Sequence, residues 1–339
     1  MRALILHGPG DLRLEEVPDP RAARGEVVVR VDAALTCATD AKMVRAGAHP
    51  ALGPLPAPLG HEVAGTVLEA GDGVAWPAVG DAVVVANSAP CGACRACREG
   101  RANLCESIVH LTGAFAERLR VPAAIVARNT LALPAGLAPA LAAMAEPIAC
   151  ALHSAARCGA GPGDLVLILG GGAQGQLLAG VLAERGCRVH VADPHPDRRG
   201  RALRFGAEAV HEAPRGPEGV AALRRAVSGG GGADVVVEAV GRPETWRAAA
   251  ALARPGGEAL LHGGCPPGSE VRLPTGPLHY QELTLRGSYH HTPDAVRAAV
   301  DMLAAGALPF AELLGEPIGL ADVARVLDEE RGAKRPVLP

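Results

Sequence analysis

The chain has 339 residues, 49% hydrophobic and 20% charged, which is enough apolar material for two domains of roughly 100–200 residues each and rules out disorder over most of the length. Aromatic residues are only 2% and the formal net charge is −3. These values exclude a base-stacking nucleic-acid platform and a global field that would draw the protein to phosphate polymers or acidic membranes.

The start, Met1-Arg2-Ala3-Leu4-Ile5-Leu6, breaks at His7, which leaves it too short for the apolar region of a secretion signal. No later run of ~18 residues is free of Pro, Gly or charge, so the expectation is a cytoplasmic protein without a membrane span. Nine cysteines, at 37, 91, 94, 97, 105, 150, 158, 187 and 265, are an odd number in a long chain with no secretion signal. Metal binding or simple burial is expected of them rather than a disulfide framework.

From the start to about residue 130 the chain reads as short strands between turns, with β-branched runs at 26–32 and 81–85. Residues 137–158 turn Ala/Leu-rich and helical. A continuous apolar run at 165–169 has the character of a buried parallel strand. A Gly-rich turn follows, then a helix at 176–184 ended by Gly186, and strands at 188–193, 233–238 and 258–262. The alternation from about 155 to 285 predicts a parallel sheet wound on both faces, with the run Gly229 to Gly232 as a connection into a strand. Helices are expected at 294–305 and 320–330. The final ~50 residues are too few to stand alone and must pack onto what precedes them.

Two local patterns carry chemistry. Gly170, Gly172 and Gly175 fit Gly-x-Gly-x-x-Gly between a strand and a helix, around Gly171, Ala173 and Gln174. Such a turn lets backbone approach a pyrophosphate over a helix N-terminus. Asp193 follows 18 residues past Gly175, at the end of the next strand, where a carboxylate accepts from ribose hydroxyls and repels a 2′-phosphate. NAD is therefore favoured over NADP, although Arg198 can serve either ribose.

The second pattern is Cys91-x-x-Cys94-x-x-Cys97, followed after seven intervening residues by Cys105. Four thiolates close a tetrahedron around Zn²⁺ with no open position, which makes the site structural. An iron–sulfur cluster and a nucleic-acid zinc ribbon are the alternatives, and neither matches the spacing and the acidic balance as well. A scattered set, Cys37, His61, Glu62 and Glu146, supplies the mixed thiolate, imidazole and carboxylate donors of a catalytic zinc.

With these residues in view, Gly60-His61-Glu62-x-x-Gly65-x5-Gly71-x-x-Val74 resembles the zinc-containing alcohol dehydrogenase signature at every fixed position. Cys37-Ala38-Thr39-Asp40, the four-cysteine lobe, Glu146-Pro147 and the dinucleotide turn follow in that family's order, so the resemblance spans essentially the whole chain. Glu146 is similar to the polyol (sorbitol) and threonine dehydrogenase branch of the medium-chain dehydrogenase/reductase superfamily.

The resemblance implies an α/β protein in which a Rossmann NAD-binding domain, 153–286, is inserted in a GroES-like, β-rich catalytic domain made of 1–152 and 287–339, with its structural zinc lobe at 88–107. It also implies two zinc ions per chain and a homotetramer or homodimer. The catalytic ion would be held by Cys37, His61 and Glu146, with Glu62 as a fourth or exchangeable ligand. The chemistry implied is acidification of a substrate hydroxyl and transfer of its carbinol hydride to the nicotinamide. Thr39 would pass on the proton.

The sequence departs from the family at Ala38 and at Lys42, which stands where a relay histidine is usual. Lys42 is either a relay, an anchor for phosphate or polar substrate, or a surface lysine. With His49 and the segment Gly287-Ser288-Tyr289-His290-His291-Thr292, it suggests a polar pocket for a polyol, sugar or cyclitol-like secondary alcohol. L-Threonine or a simple secondary alcohol is the alternative substrate. A zinc-free reductase using NADPH and a non-catalytic zinc-binding protein are the competing classes.

Overall fold

The computed structural model describes residues 1–329 and 333–339. The chain forms two compact units, one from Met1–Ala149 with His291–Pro339, the other from Cys150–His290.

In the first unit an antiparallel sheet runs in the order Thr130–Ala132, Ala82–Val85, Val63–Ala70, Val27–Leu35, Pro336–Val337, with Arg118–Val121 also paired to Val27–Leu35. The strand expected at 26–32 continues to Leu35 because Ala33, Ala34 and Leu35 are fully buried, and a register shift between Val31 and Ala33 bends it there. Val29, Val63, Val67, Val85, Phe115 and Ile125 belong to one core, and each buried aliphatic side chain contributes roughly 1.5–3 kcal/mol. Gly65 faces the neighbouring strand so closely that a Cβ would lie 2.1 Å from the Arg30 carbonyl oxygen. A glycine is needed at that strand crossing whatever the function.

The helical stretch expected at 137–158 is two helices, Pro139–Ala142 and Ala145–Arg157. The break puts Glu146 in the first turn of the second helix. Toward the C-terminus come Pro293–Ala304, capped by Thr292, a 3₁₀ turn Leu320–Asp322 and the helix Val323–Glu329. The sequence reading ended that last helix at 330, which lies outside the described residues.

The second unit is a six-stranded parallel sheet in the order Ala209–His211, Arg188–Ala192, Leu165–Leu169, Ala233–Glu238, Ala253–Leu261, Thr284–Gly287. The runs 165–169 and 233–238 match their expected bounds, and every residue of the first is buried. The order reverses on either side of Leu165–Leu169, the topological switch at which doubly wound sheets bind ligands. The 258–262 strand begins at Ala253 instead, pairing through a register shift around Arg254-Pro255-Gly256-Gly257, and Thr284–Gly287 adds an edge strand not expected from the sequence. Among the described residues no helix is long and apolar enough to cross a membrane.

Candidate metal and cofactor sites

Cys37 is the N-cap of the helix Ala38–Ala46. Its Sγ accepts from the Thr39 amide at 3.5 Å, and its own amide donates to Asp40 Oδ2 at 3.1 Å. Asp40 is wholly buried, and its other oxygen meets His61 Nδ1 at 2.9 Å. A carboxylate only accepts, so Nδ1 carries hydrogen and Nε2 is left as the donor atom toward a metal. His61 and Glu62 precede the strand Val63–Ala70, and the donor atoms of Cys37, His61 and Glu62 all lie within 4.8 Å of one another. His61 Nε2 and Glu62 Oε1 are 4.0 Å apart, near the roughly 3.3 Å edge of a tetrahedron with zinc–nitrogen and zinc–oxygen bonds of about 2 Å.

Lys334 completes this neighbourhood. Its Nζ lies 2.6 Å from both carboxylate oxygens of Glu62 and donates to the Thr36 carbonyl at 3.3 Å. Burial disfavours the ammonium, yet the charges of Glu62 and Cys37 hold Lys334 protonated, above the ordinary lysine range. Burial pushes Glu62 well above the usual carboxylate range, against the pull of Lys334. Burial likewise pushes the Cys37 thiol up, but Lys334 and His61 outweigh it and leave it at about 7. For His61, burial opposes protonation and Asp40 overcomes it, raising the imidazole well above its ordinary value. A thiol poised for ionisation, an imidazole of fixed tautomer and a carboxylate fit a borderline-soft cation such as Zn²⁺.

Of the four expected ligands, Cys37, His61 and Glu62 have donor atoms within 4.8 Å of one another, while Glu146 lies outside that group, its Oε1 accepting from Asn87 Nδ2 at 2.9 Å. Thr39 is half-buried, two residues past Cys37. Lys42 is exposed on the same helix and outside the donor set. Its charge acts instead on His49, whose imidazole is lowered first by burial and then by His61, His110 and Lys42. Within the segment 287–292, Tyr289 is half exposed and His291 is buried.

Cys91, Cys94, Cys97 and Cys105 converge, all four sulfurs within 4.8 Å of one another. The Cys94–Cys97 and Cys94–Cys105 separations of 3.5 and 3.9 Å bracket the edge of about 3.8 Å expected for a zinc–sulfur tetrahedron. Backbone amides point at the sulfurs, from Ala93 and Cys94 to Cys91 and from Cys91 and Ser107 to Cys105. Such donors lower the thiol of Cys94 to about 6. Burial and the sulfur of Cys94 push Cys97 up to about 12, so four crowded thiols do not ionise together unless a cation joins them.

In the second unit the turn between Leu165–Leu169 and Ala173–Glu184 explains its glycines unequally. Gly170 has φ of +102°, and a Cβ there would lie 2.8 Å from Val240 Cγ2. At Gly175 a Cβ would lie 1.8 Å from the Gly170 carbonyl oxygen. Gly172, the helix N-cap, has φ of −68° and nothing within 4 Å of its Cβ position. Neither packing nor backbone conformation demands a glycine there, so its smoothness fits the close approach of a ligand such as a pyrophosphate. Ala173 and Gln174 follow in the first turn of that helix.

Asp193 is buried just past Arg188–Ala192, its Oδ2 accepting from Gly171 N and its Oδ1 from His195 N, both at 2.8 Å. Arg198 Nη1 is 3.8 Å from Oδ2, and Arg199 Nη1 donates to the Asp193 carbonyl. The Asp193 amide bonds His211 O, where a groove of about 610 Å³ begins, lined by His211, Glu212, Arg215 and Leu223.

Sequence reasoning missed Lys334, Asn87 and Arg199 as parts of these sites. The one available signal was Lys334 itself, one of two lysines in an arginine-rich chain.

Residues 23–132 match the model of the alcohol dehydrogenase GroES-like domain, and residues 174–305 that of the zinc-binding dehydrogenase. The chain is 32% identical to erythritol/L-threitol dehydrogenase of Mycolicibacterium smegmatis, over 99% of this chain and 96% of the relative. It is 30% identical to L-galactonate-5-dehydrogenase of Escherichia coli, over 97% and 95%. A structure described as a zinc-binding dehydrogenase of Sinorhizobium meliloti, bound to NADP, superposes with a TM-score of 0.89 at 30% identity, over 100% of this chain and 99% of that one. The chain belongs to the zinc-type medium-chain alcohol dehydrogenase family, in its polyol-dehydrogenase-like branch.

Proposed function

We propose that the protein interconverts a secondary alcohol of a polyol, sugar or cyclitol-like compound and its ketone, with NAD as hydride acceptor. The reading is carried by the Cys37–His61–Glu62 donor set, in which Asp40 fixes the imidazole tautomer and Lys334 fixes the carboxylate. Cys37, His61 and Glu146 would hold a zinc ion, with Glu62 as a fourth or exchangeable ligand. When bound, that ion supplies Lewis-acid polarisation of the substrate hydroxyl.

The protein's own groups do the rest. Asp40 keeps His61 aligned, and Lys334 holds Glu62 in place through contacts to both of its carboxylate oxygens. The Thr39 hydroxyl accepts the substrate proton and passes it outward, and Lys42 stands at the exposed end of that path. Cys91, Cys94, Cys97 and Cys105 would hold a second zinc that cross-links their loop. Gly170, Gly172, Ala173, Gln174 and Gly175 receive the cofactor pyrophosphate. Asp193, with Arg198 beside it, receives the adenosine ribose, and a buried carboxylate there disfavours a 2′-phosphate. A homotetramer or homodimer working in the cytoplasm completes the reading, in keeping with nine cysteines none of which is in a disulfide.

Incubation of the zinc-loaded protein with tetritols, pentitols, hexitols, aldonates, cyclitols, L-threonine and simple alcohols, each with NAD and with NADP, tests this through reduced-cofactor absorbance. Turnover of a polyhydroxylated secondary alcohol with NAD is expected. Activity confined to apolar primary alcohols would refute the substrate class, and a preference for NADP would refute the reading of Asp193.

A further inference from the structure

Three segments far apart in sequence meet at Asn87. Its Nδ2 lies 2.9 Å from Glu146 Oε1, and its Oδ1 lies 2.8 Å from His291 Nε2. Asn87 follows the strand Ala82–Val85, Glu146 opens the helix Ala145–Arg157, and His291 is where the chain re-enters the first unit. Glu146 and His291 are both buried, and Asn87 is half-buried between them.

The chemistry of the three groups makes the chain directional. A carboxylate accepts and cannot donate, so the Asn87 amide must turn its NH₂ toward Glu146. That leaves the amide oxygen facing His291, whose Nε2 must therefore carry the hydrogen. If the amide flipped, an oxygen would face an oxygen at Glu146, and His291 would need its other tautomer. The carboxylate thus sets the amide orientation and the amide sets the His291 tautomer, and with all three in register the Asn87 amide and His291 together hold the Glu146 carboxylate in place. This is the arrangement by which outer groups orient metal ligands.

We propose that Asn87 and His291 form a hydrogen-bonded brace that positions Glu146 as a ligand beside the Cys37–His61–Glu62 set, making both of them positioning residues of the metal centre. The inference rests on the reading of Glu146 as a zinc ligand. It accounts for Glu146 standing apart from the donor set while remaining electrostatically coupled to Glu62 and Lys334. The brace holds the carboxylate in one orientation at the edge of the site, so that ligation requires a short movement and no search among rotamers.

The test is metal binding by the full-length chain with its four-cysteine lobe already loaded. Zinc affinity is measured by competition with a chromophoric chelator, and coordination by the visible spectrum of the Co²⁺-substituted protein. Asn87→Ala is expected to weaken zinc about tenfold, within the range typical of outer-shell groups, and to shift the Co²⁺ bands. His291→Ala should weaken it less, and Asn87→Ala with His291→Ala should be no weaker than Asn87→Ala alone, because the two act in series. Asn87→Asp keeps the shape and removes the donor, so it serves if the alanine variant does not fold, and it should weaken zinc at least as much.

Wild-type affinity and spectrum in Asn87→Ala or Asn87→Asp would overturn the brace. Glu146→Gln separates the two readings. If that variant itself binds zinc like wild type, the ligand role of Glu146 fails and the brace with it. If Glu146→Gln is weakened and the Asn87 variants are not, only the brace fails.

Discussion

Lys334 Nζ sits 2.6 Å from both carboxylate oxygens of Glu62, a buried ion pair closed across 272 residues of sequence. The pair exists because the strand Pro336–Val337 lies against Val27–Leu35, with Pro336 opposite Leu35, bringing the chain end to the loop that carries Cys37. The Lys334 charge lowers the Cys37 thiol and pulls against the burial that raises the Glu62 carboxyl.

Lys334→Met should therefore raise the Cys37 thiol above about 7, since loss of the ammonium leaves burial unopposed by its strongest counter-charge. The readout is the pH dependence of Cys37 alkylation in metal-free protein. Breaking the pair also leaves a buried carboxylate uncompensated, a loss of ~3–5 kcal/mol in denaturant unfolding. An unchanged alkylation midpoint would contradict the electrostatic role assigned to Lys334.

Cys94→Ser should remove one of two zinc sites while sparing the other, because the four-sulfur set and the Cys37–His61–Glu62 set share no residue. Metal analysis is expected to fall from two ions per chain to one. Thermal unfolding should also come earlier, as metal binding and local folding are linked in such lobes. Retention of both ions would show that the lobe is not a metal site.

Asp193→Ser removes a carboxylate that accepts from Gly171 N and His195 N. Loss of charge-assisted bonds to the ribose should raise KM for NAD about tenfold to a hundredfold and narrow the preference over NADP. Arg198→Ala should widen that preference again. Equal KM values for NAD in wild type and Asp193→Ser would place the ribose elsewhere.

Glu238 is wholly buried at the end of Ala233–Glu238, with Oε1 accepting from Val240 N, Gly241 N and Thr245 Oγ1, and Oε2 without a hydrogen-bond partner. Burial raises its carboxyl above the ordinary range despite those donors. The folded state then holds a proton that the unfolded chain releases at about 4.3, so the group's stabilising contribution is complete below that value and declines as pH rises through the folded pKa. Glu238→Gln should lose less Tm between pH 5 and pH 8 than wild type. Parallel pH–Tm curves would show that Glu238 does not titrate as described.

Much of the cofactor unit was legible locally. The strands at 165–169 and 233–238 appear at their expected bounds because each is an uninterrupted buried run closed by a turn. The 137–158 stretch was less legible, since Ala and Leu favour helix throughout and nothing in their periodicity marks the break before Ala145. At the metal site the donor types were readable from spacing and resemblance. Their separation in space was not, as the donor atoms of Cys37, His61 and Glu62 lie within 4.8 Å of one another while Glu146 is hydrogen-bonded to Asn87.

The sequence by itself determined the chemistry available: four cysteines on one loop, a thiolate, imidazole and carboxylate set, and a glycine turn between a strand and a helix. Such patterns are written within a few residues, where backbone conformation and side-chain periodicity are local properties. Only the tertiary structure decided which buried charge faces which. The Lys334–Glu62 and His291–Asn87 contacts span 272 and 204 residues, and partners so distant are chosen by how strands and returning segments pack. A buried charge or amide must find a complement once folding has removed water from around it.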